Sequence, residues 1–311
     1  MDKKTESKLY ENIITNMKEK YGIRFRKKQK QKFIKYAQTI FNDMGYTTEV
    51  QEKVRINKNI LSNQNLIIGD IEKANVILCA HYDTPFRSLY RYKIIHGRNM
   101  RKRDIFKGIF IILLYLICIA ILFILFNCPS IIYLITIILF VLGIPNKQNL
   151  NDNTSGVLTI FKIAVEIKEL NNSKVAFVLF DNEEWGLIGS KIFKKQNKNI
   201  ENKLFVNFDC VGIGDNIIVI GDDDSIHEAE NIVGKKEKIE GKNIVVEKMD
   251  LSKAKSDEKT FKRRIRFAAF HRNKKGQLYI DNIHTKKDND LDINNINLIS
   301  LIIKDYVIKI Y

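Results

Sequence analysis

VAFVLFDNEEWG, residues 175–186, joins six consecutive apolar residues to a run that is rich in acidic side chains. A short apolar run of this kind is typical of a strand that is buried on both faces of a sheet. VILCAHYDTP, residues 76–85, repeats the arrangement, with His81 and Asp83 directly after the apolar run. Both stretches therefore predict buried strands with polar, chemically versatile residues at their carboxyl ends.

Helical patterns alternate with such strands along the chain. The predicted helices cover residues 3–20, 27–44, 153–169, 187–195 and 289–311, and the predicted strands cover residues 76–80, 174–180, 203–208, 216–220 and 264–270. This alternation favours an α/β fold, a three-layer sandwich with a mostly parallel mixed sheet flanked by helices. In sheets of this type, functional groups collect at the carboxyl ends of the strands.

The composition excludes a disordered chain and a disulfide scaffold. The 311 residues are 45% hydrophobic and 28% charged, whereas disordered chains are poor in apolar residues. Four cysteines are too few for a disulfide framework, and no two of them have the spacing of a zinc finger. Lysine and arginine number 52 against 36 aspartates and glutamates, a net charge of +16. This charge indicates an anionic surface nearby, either nucleic acid or phospholipid.

One segment departs from the rest of the chain in hydropathy. Residues 108–126 and 131–144 carry no charge, and both runs are apolar on every face, which is unusual for a globular helix. At about 1.5 Å per residue they span roughly 28 Å and 21 Å, against about 30 Å for the hydrocarbon core of a bilayer. We therefore predict a membrane helical hairpin over residues 105–145, whose second arm is tilted, shallow or re-entrant. The alternative is a pair of buried helices in a globular core.

The charges around this hairpin predict its orientation. Eight basic residues lie between positions 87 and 107, Lys147 follows the hairpin, and its turn is uncharged. The positive-inside rule then predicts a multi-pass protein of the cell membrane whose α/β domain faces the cytoplasm. The basic run 87–107 would contact anionic lipid headgroups, and with that role assigned no nucleic-acid partner is expected.

Five segments place possible metal ligands at strand ends or helix starts. Besides HYDTP they are NDNTSG (151–156), DNEEWG (181–186), NFDCVG (207–212) and NIHTKKD (282–288), with the candidate residues Asp152, Glu183, Glu184, Asp209 and His284. A single acid after a strand is usually a helix cap, but five such sites are too many for capping alone. Carboxylate and imidazole ligands without cysteine suit zinc in an open catalytic site, although cobalt or manganese could replace it.

In this order, the segments resemble the signature of the co-catalytic zinc aminopeptidases, metallopeptidase family 28 of clan MH. The resemblance runs from about residue 76 to residue 288, interrupted by the predicted hairpin. SDEKTF, residues 256–261, resembles a further family segment, in which Asp257 is either a site residue or a helix cap. The sequence departs from the family pattern at RIR, residues 264–266, and at Lys286. We expect these departures to alter the substrate pocket and not the metal centre.

The resemblance implies a centre with two zinc ions. His81, Asp152 and Asp209 would hold one ion, and Asp152, Glu184 and His284 would hold the other. Asp152 would then bridge two ions that share a hydroxide.

Two further residues have roles implied by the resemblance. Asp83 would accept the other ring N–H of His81 and fix its tautomer. Glu183 would be the general base, which takes a proton from the metal-bound water and passes it to the leaving amine. The catalytic domain would consist of residues 1–104 and 146–311, divided by the hairpin.

Three functions fit these residues. The first is a membrane-anchored zinc exopeptidase, a metallopeptidase of the aminopeptidase type. The second is a glutaminyl-cyclase-like acyltransferase, because such enzymes resemble the same family with a one-metal site. The third is a non-catalytic scaffold, against which the intact set of ligands argues. Because the hairpin interrupts the chain between Asp83 and Asp152, we predict a peptide substrate delivered along the membrane, with simple tethering as the alternative.

Overall fold

A central sheet with helices on both faces organises the chain. The computed structural model describes residues 3–54, 62–88, 93–97, 144–170, 173–234, 236, 238–239, 241–251 and 256–310, together with eight positions between 106 and 124. The helices are α1 (Lys3–Glu19), α2 (Lys27–Asp43), α3 (Ser155–Ile167), α4 (Ile188–Gln196), α5 (Ile226–Val233) and α6 (Ile293–Ile310). The strands are β1 (Thr48–Val54), β2 (Ser62–Ile68), β3 (Val76–His81), β4 (Lys93–Ile95), β5 (Val175–Phe180), β6 (Leu204–Phe208), β7 (Asn216–Gly221), β8 (Lys238–Ile239), β9 (Lys242–Lys248), β10 (Arg263–Arg272) and β11 (Leu278–Asp281).

The strands pair in the order β1-β2-β5-β3-β6-β10-β7-β9-β8, and β11 joins β10 to β4. The four central strands β5, β3, β6 and β10 run parallel. On either side of them, β2 pairs antiparallel with β5 and β7 pairs antiparallel with β10. The predicted mixed sheet flanked by helices is confirmed, but only this central block and the pair of β7 with β9 are parallel, so the sheet is not mostly parallel.

The central strands are buried on both faces, as their apolar runs predict. Leu78 of β3 packs in a core with α1, α2, α3, α5 and α6, whereas Ile77 and Cys79 pack in a second core with Phe193 of α4. Successive side chains of a strand point to opposite faces, so one uninterrupted apolar run supplies both cores. The central strands are thereby packed between two cores, and because they are parallel, their carboxyl ends lie at the same edge of the sheet.

The predicted membrane localisation is contradicted. Among the described residues, no helix is both long enough and apolar enough to cross a bilayer, which requires about 20 consecutive apolar residues. Most of the predicted hairpin, residues 105–145, lies outside the described residues. This finding contradicts the predicted multi-pass membrane anchor. The predicted contact with lipid headgroups depended on that anchor and is therefore not supported.

The basic run 87–107 and the predicted hairpin 105–145 each contain described residues whose environment differs from the sequence prediction. Lys93, in the basic run, lies on β4, where its Nζ is 3.5 Å from Asp281 and 3.9 Å from the ring centroid of Tyr279. The described apolar side chains between 106 and 124 are exposed, which does not fit a helix pair buried in the core.

The segments on either side of the predicted hairpin, residues 86–88 and 144–145, lie next to each other. Phe86 forms an antiparallel bridge with Pro145, and the backbone N–H of Arg87 donates to the carbonyl of Ile144 at 2.8 Å. The backbone N–H of Ser88 donates to the carbonyl of His284 at 2.6 Å. These contacts place both ends of the insertion beside one of the predicted metal ligands.

Candidate metal centre

The central parallel strands bring most of the predicted ligands to one edge of the sheet. His81 is the last residue of β3, Glu183 and Glu184 follow β5, and Asp209 directly follows β6. Because β5, β3 and β6 are adjacent and parallel, their carboxyl ends meet at this edge.

Asp152 reaches the centre from a turn before α3. The turn Leu150–Thr154, in which Asp152 and Asn153 have non-helical backbone angles, precedes that helix, and the start of the helix packs closely against the end of β6. A Cβ atom on Gly156 would lie 2.2 Å from the carbonyl oxygen of Phe208. Glycine is therefore required for the turn to bring Asp152 next to Asp209.

Two sets of three candidate ligands share Asp152. The ligand atoms of His81, Asp152 and Asp209 lie within 4.8 Å of one another, and so do those of Asp152, Glu184 and His284. Oδ1 of Asp152 is 3.3 Å from Nε2 of His81, and Oδ2 is 2.9 Å from Nε2 of His284. The structure thus brings the five predicted ligands together, with a different histidine at each oxygen of Asp152.

The donor set fits zinc. It consists of carboxylate oxygens and imidazole nitrogens, the donors of catalytic zinc sites. Oε1 of Glu184 is buried without a hydrogen bond, although it lies 3.2 Å from Nε2 of His284. A buried oxygen of this kind is costly unless a cation or donor satisfies it.

Asp83 connects His81 to the acidic loop after β5. Its carboxylate accepts hydrogen bonds from the backbone N–H groups of Glu183, at 2.9 Å, and Glu184, at 3.2 Å. Oδ1 of Asp83 lies 3.5 Å from Nδ1 of His81, and the Asp83 carbonyl is 3.3 Å from the same nitrogen. Burial raises the pKa of Asp83, but the hydrogen bond with His81 and the charge of Lys30 hold it below its usual value.

The electrostatics of the centre favour a proton on Glu183 in the metal-free protein. Burial, together with the carboxylates of Glu184, Asp257 and Asp209, raises the pKa of Glu183 well above its usual range. Burial also raises the pKa of Asp152, but the hydrogen bonds and the charges of His284 and His81 together hold it below its usual value. The pKa values of these two carboxyl groups are therefore shifted in opposite directions, which is typical of a functional site.

Two buried cations that the sequence analysis missed support the loops of the centre. Nζ of Lys30, on α2, is 2.6 Å from Oδ1 of Asp181 and donates to Oδ1 of Asn182 at 2.6 Å. Arg24 donates to the carbonyl of Tyr82 and, at 3.0 Å, to the hydroxyl of Thr154. Lys30 thus holds the loop before Glu183, and Arg24 links the turns that carry His81 and Asp152.

A third cation contacts a candidate ligand directly. Nη2 of Arg266, on β10, lies 3.2 Å from Oδ2 of Asp209. Its signal in the sequence is the departure from the family pattern at residues 264–266, which we expected to affect the pocket alone. That expectation is wrong, because Arg266 contacts the centre itself.

Asp257 lies close to these groups but does not cap a helix. It is the first residue of a short 3₁₀-helix, whose N-cap is Ser256. Its side chain is fully buried, and burial raises its pKa to about 7. Lys286, the other departure from the family pattern, is exposed.

The family model described as Peptidase family M28 matches residues 143–303, just over half of the chain. The chain belongs to peptidase family M28. Membership indicates a peptidase or a related enzyme and implies zinc at this centre. The matched residues include four of the five predicted ligands, whereas His81 and Asp83 precede them. No curated protein matches the chain.

Solved structures that share this M28 fold belong to enzymes of two kinds. The Legionella pneumophila LapA aminopeptidase is 15% identical, with a TM-score of 0.60 over 98% of this chain and 71% of that one. A Porphyromonas gingivalis glutaminyl cyclase is 14% identical, with a TM-score of 0.64 over 98% of each chain. A Zn-dependent exopeptidase from Parabacteroides distasonis is 15% identical, with a TM-score of 0.59 over 97% of each chain. At sequence identities this low, the comparisons show a similar fold and nothing more specific.

Proposed function

We propose that this M28 protein is a dinuclear zinc exopeptidase of the aminopeptidase type. The observation that carries the proposal is the position of Asp152, whose two oxygens face His81 and His284 in two separate ligand sets. One set is completed by Asp209 and the other by Glu184. A centre for a single ion would not need a second complete set.

Zinc, when bound, supplies Lewis-acid polarisation of the peptide carbonyl and lowers the pKa of water. The protein supplies the proton transfer. Glu183 lies within 4.8 Å of His81 and Glu184 through its carboxylate, but it belongs to neither of the two sets that share Asp152. Its raised pKa suits a group that takes up a proton and passes it to the leaving amine.

The loop contacts keep that carboxylate in place. Asp83 accepts hydrogen bonds from the backbone of both Glu183 and Glu184, so the backbone that carries both side chains is fixed. Trp185 is 43% exposed and packs edge-on against Phe86, with ring centroids 4.8 Å apart. This aromatic pair next to the ligands offers an apolar surface for a substrate side chain.

A two-substrate assay tests the proposal. Zinc-loaded protein should release amino acids from peptides with a free amino terminus and should not cyclise an amino-terminal glutamine. Blocking the amino terminus of the same peptide by acetylation should abolish cleavage. Cleavage of the acetylated peptide, or no cleavage of either peptide, would contradict an aminopeptidase activity.

The second candidate is a glutaminyl cyclase, for which the contact between Arg266 and Asp209 is the specific observation. A cation beside the set of His81, Asp152 and Asp209 favours binding of a zinc ion to the other set alone. A site with one metal ion is what distinguishes the glutaminyl cyclases that resemble this family. Formation of pyroglutamate from a Gln-initiated peptide, without release of glutamine, would select this alternative.

A further inference from the structure

Arg266 places a positive charge beside only one of the two ligand sets. Its Nη2 lies 3.2 Å from Oδ2 of Asp209. In the part of the chain that the structure describes, Asp152 and Glu184 form ion pairs with histidines and with no lysine or arginine. The two sets offer similar donors but differ in the charge next to them.

Two contacts keep the guanidinium at this position. Nη1 of Arg266 lies 3.7 Å from Oε1 of Glu258, whose side chain is fully buried. Oε2 of Glu258 accepts a hydrogen bond from Asn207 at 2.6 Å, which fixes the carboxylate. If the guanidinium moved away, this buried carboxylate would lose its cation, which is strongly unfavourable. Arg266 therefore stays beside Asp209 when a metal ion binds.

The guanidinium also keeps its charge, because arginine is not deprotonated in proteins. One oxygen of Asp209 is thus taken up by a permanent cation, and Oδ1, 3.9 Å from Nε2 of His81, is left for a metal ion. Like charges in a partly buried site are screened much less than in water.

We propose that Arg266 makes the set of His81, Asp152 and Asp209 the weaker of two zinc sites. One ion binds tightly to Asp152, Glu184 and His284, and the second binds with lower affinity. This inference rests on the proposed function, in which both sets hold zinc.

Zinc titration of the metal-free protein tests this, by calorimetry with a competing chelator and by equilibrium dialysis with metal analysis. We expect two steps whose dissociation constants differ by about tenfold or more. Removal of a group bonded to a metal ligand typically lowers metal affinity by about 10–100-fold, and we expect a change of similar size in the opposite direction here, because this group is a cation that repels the metal ion. Arg266→Gln should therefore tighten the second step by about tenfold or more and leave the first step unchanged.

The chain offers a matched control on the same strand. Arg264→Gln makes the same change in charge two residues away, where Arg264 pairs with Asp222 at 2.7 Å, and it should leave both steps unchanged. If Arg266→Gln does not fold, the double variant E258Q/R266Q, which neutralises both partners, carries the same expectation. An unchanged or weakened second step in the folded variant overturns the inference, as do two equal affinities in the unaltered protein. If the unaltered protein binds no zinc at all, the proposed function fails together with the inference.

Discussion

The two ligand sets share Asp152 but have different surroundings. In the first set, His81 has a side-chain exposure of 1% and Asp209 of 8%, and Arg266 contacts the latter. In the second, His284 is 26% exposed, and its carbonyl accepts a hydrogen bond from the backbone N–H of Ser88. The first set is therefore enclosed and has an arginine beside it, whereas the second is more exposed and has no lysine or arginine paired with its carboxylates among the described residues. Similar donors can thus form two sites of different strength.

The shared ligand gives the largest expected effect. Asp152→Asn should lose both zinc ions, because a neutral amide bridges two cations poorly, and the rate should fall by ~10³-fold or more, since metal ions contribute several kcal/mol. Metal analysis after dialysis and peptide-cleavage rates measure this. Asp290→Asn, at an exposed position, should change neither. Two tightly bound zinc ions in the Asp152 variant would show that the sets are not joined by this residue.

Removing the proposed base should leave both sets intact. Glu183→Gln should retain its zinc but lose about 10²–10⁴-fold in kcat, the usual contribution of a general base. Steady-state kinetics and metal analysis on one sample separate the two effects. Glu201→Gln, on the surface, is the control. Near-normal turnover in the Glu183 variant would remove this residue from proton transfer.

Lys30 supports the loop of the second set, so its removal should affect that set more. Lys30→Met leaves Asp181 buried without its cation, which typically costs about 3–5 kcal/mol. Urea denaturation of the metal-free protein measures this loss in the free energy of unfolding, and zinc titration should show a weakened first step. Lys32→Met, at an exposed position of the same helix, should have little effect on either. Equal stability of the two variants would mean that the ion pair adds nothing.

The smallest expected effect is the release of protons on zinc binding. Burial lowers the pKa of His81 and of His284, but the neighbouring carboxylates raise both well above the usual value. The raised pKa values favour protonated rings in the metal-free protein, so zinc binding should release protons. Calorimetry in buffers of different ionisation enthalpy counts the released protons, and His284→Gln should lower their number.

The same pKa directions give the metal-free and zinc-bound proteins opposite pH dependences. A raised histidine pKa stabilises the metal-free fold fully below about pH 6.5, and this contribution is lost as the pH rises through the folded-state value. Zinc binding becomes tighter over the same range, because fewer protons must be displaced. A metal-free protein that gained stability from pH 6.5 upward would contradict these protonation states.

Strands that end in a ligand could be predicted because their signal is local. In β3 and β5, an apolar run is followed at once by the polar residues of the centre, and parallel strands gather such ends at one edge. Helices could be predicted for the same reason. The sequence predicts a helix over residues 3–20, and α1 covers Lys3–Glu19. Periodicity within a short window is enough for both.

Long-range partners were not predictable. β2 contains Asn65, which is fully buried because its side chain donates to the carbonyl of Gly189 and accepts from the backbone N–H of Asp181. Nothing near Asn65 in the sequence indicates these partners. The same holds for Lys30 and Arg266, since each is an ordinary basic residue until the fold places a carboxylate beside it.

The bridge between Phe86 and Pro145 pairs two positions that are far apart in the sequence. The entropic cost of closing such a loop grows only with the logarithm of its length, so the domain is nearly indifferent to how many residues lie between these two positions. Residues could therefore be added to or removed from this stretch without moving His81 relative to Asp152, as long as β4, which lies within it and pairs with β11, is kept. Because the backbone of Ser88, next to the bridge, contacts His284, residues inserted close to the bridge would lie near this end of the metal centre.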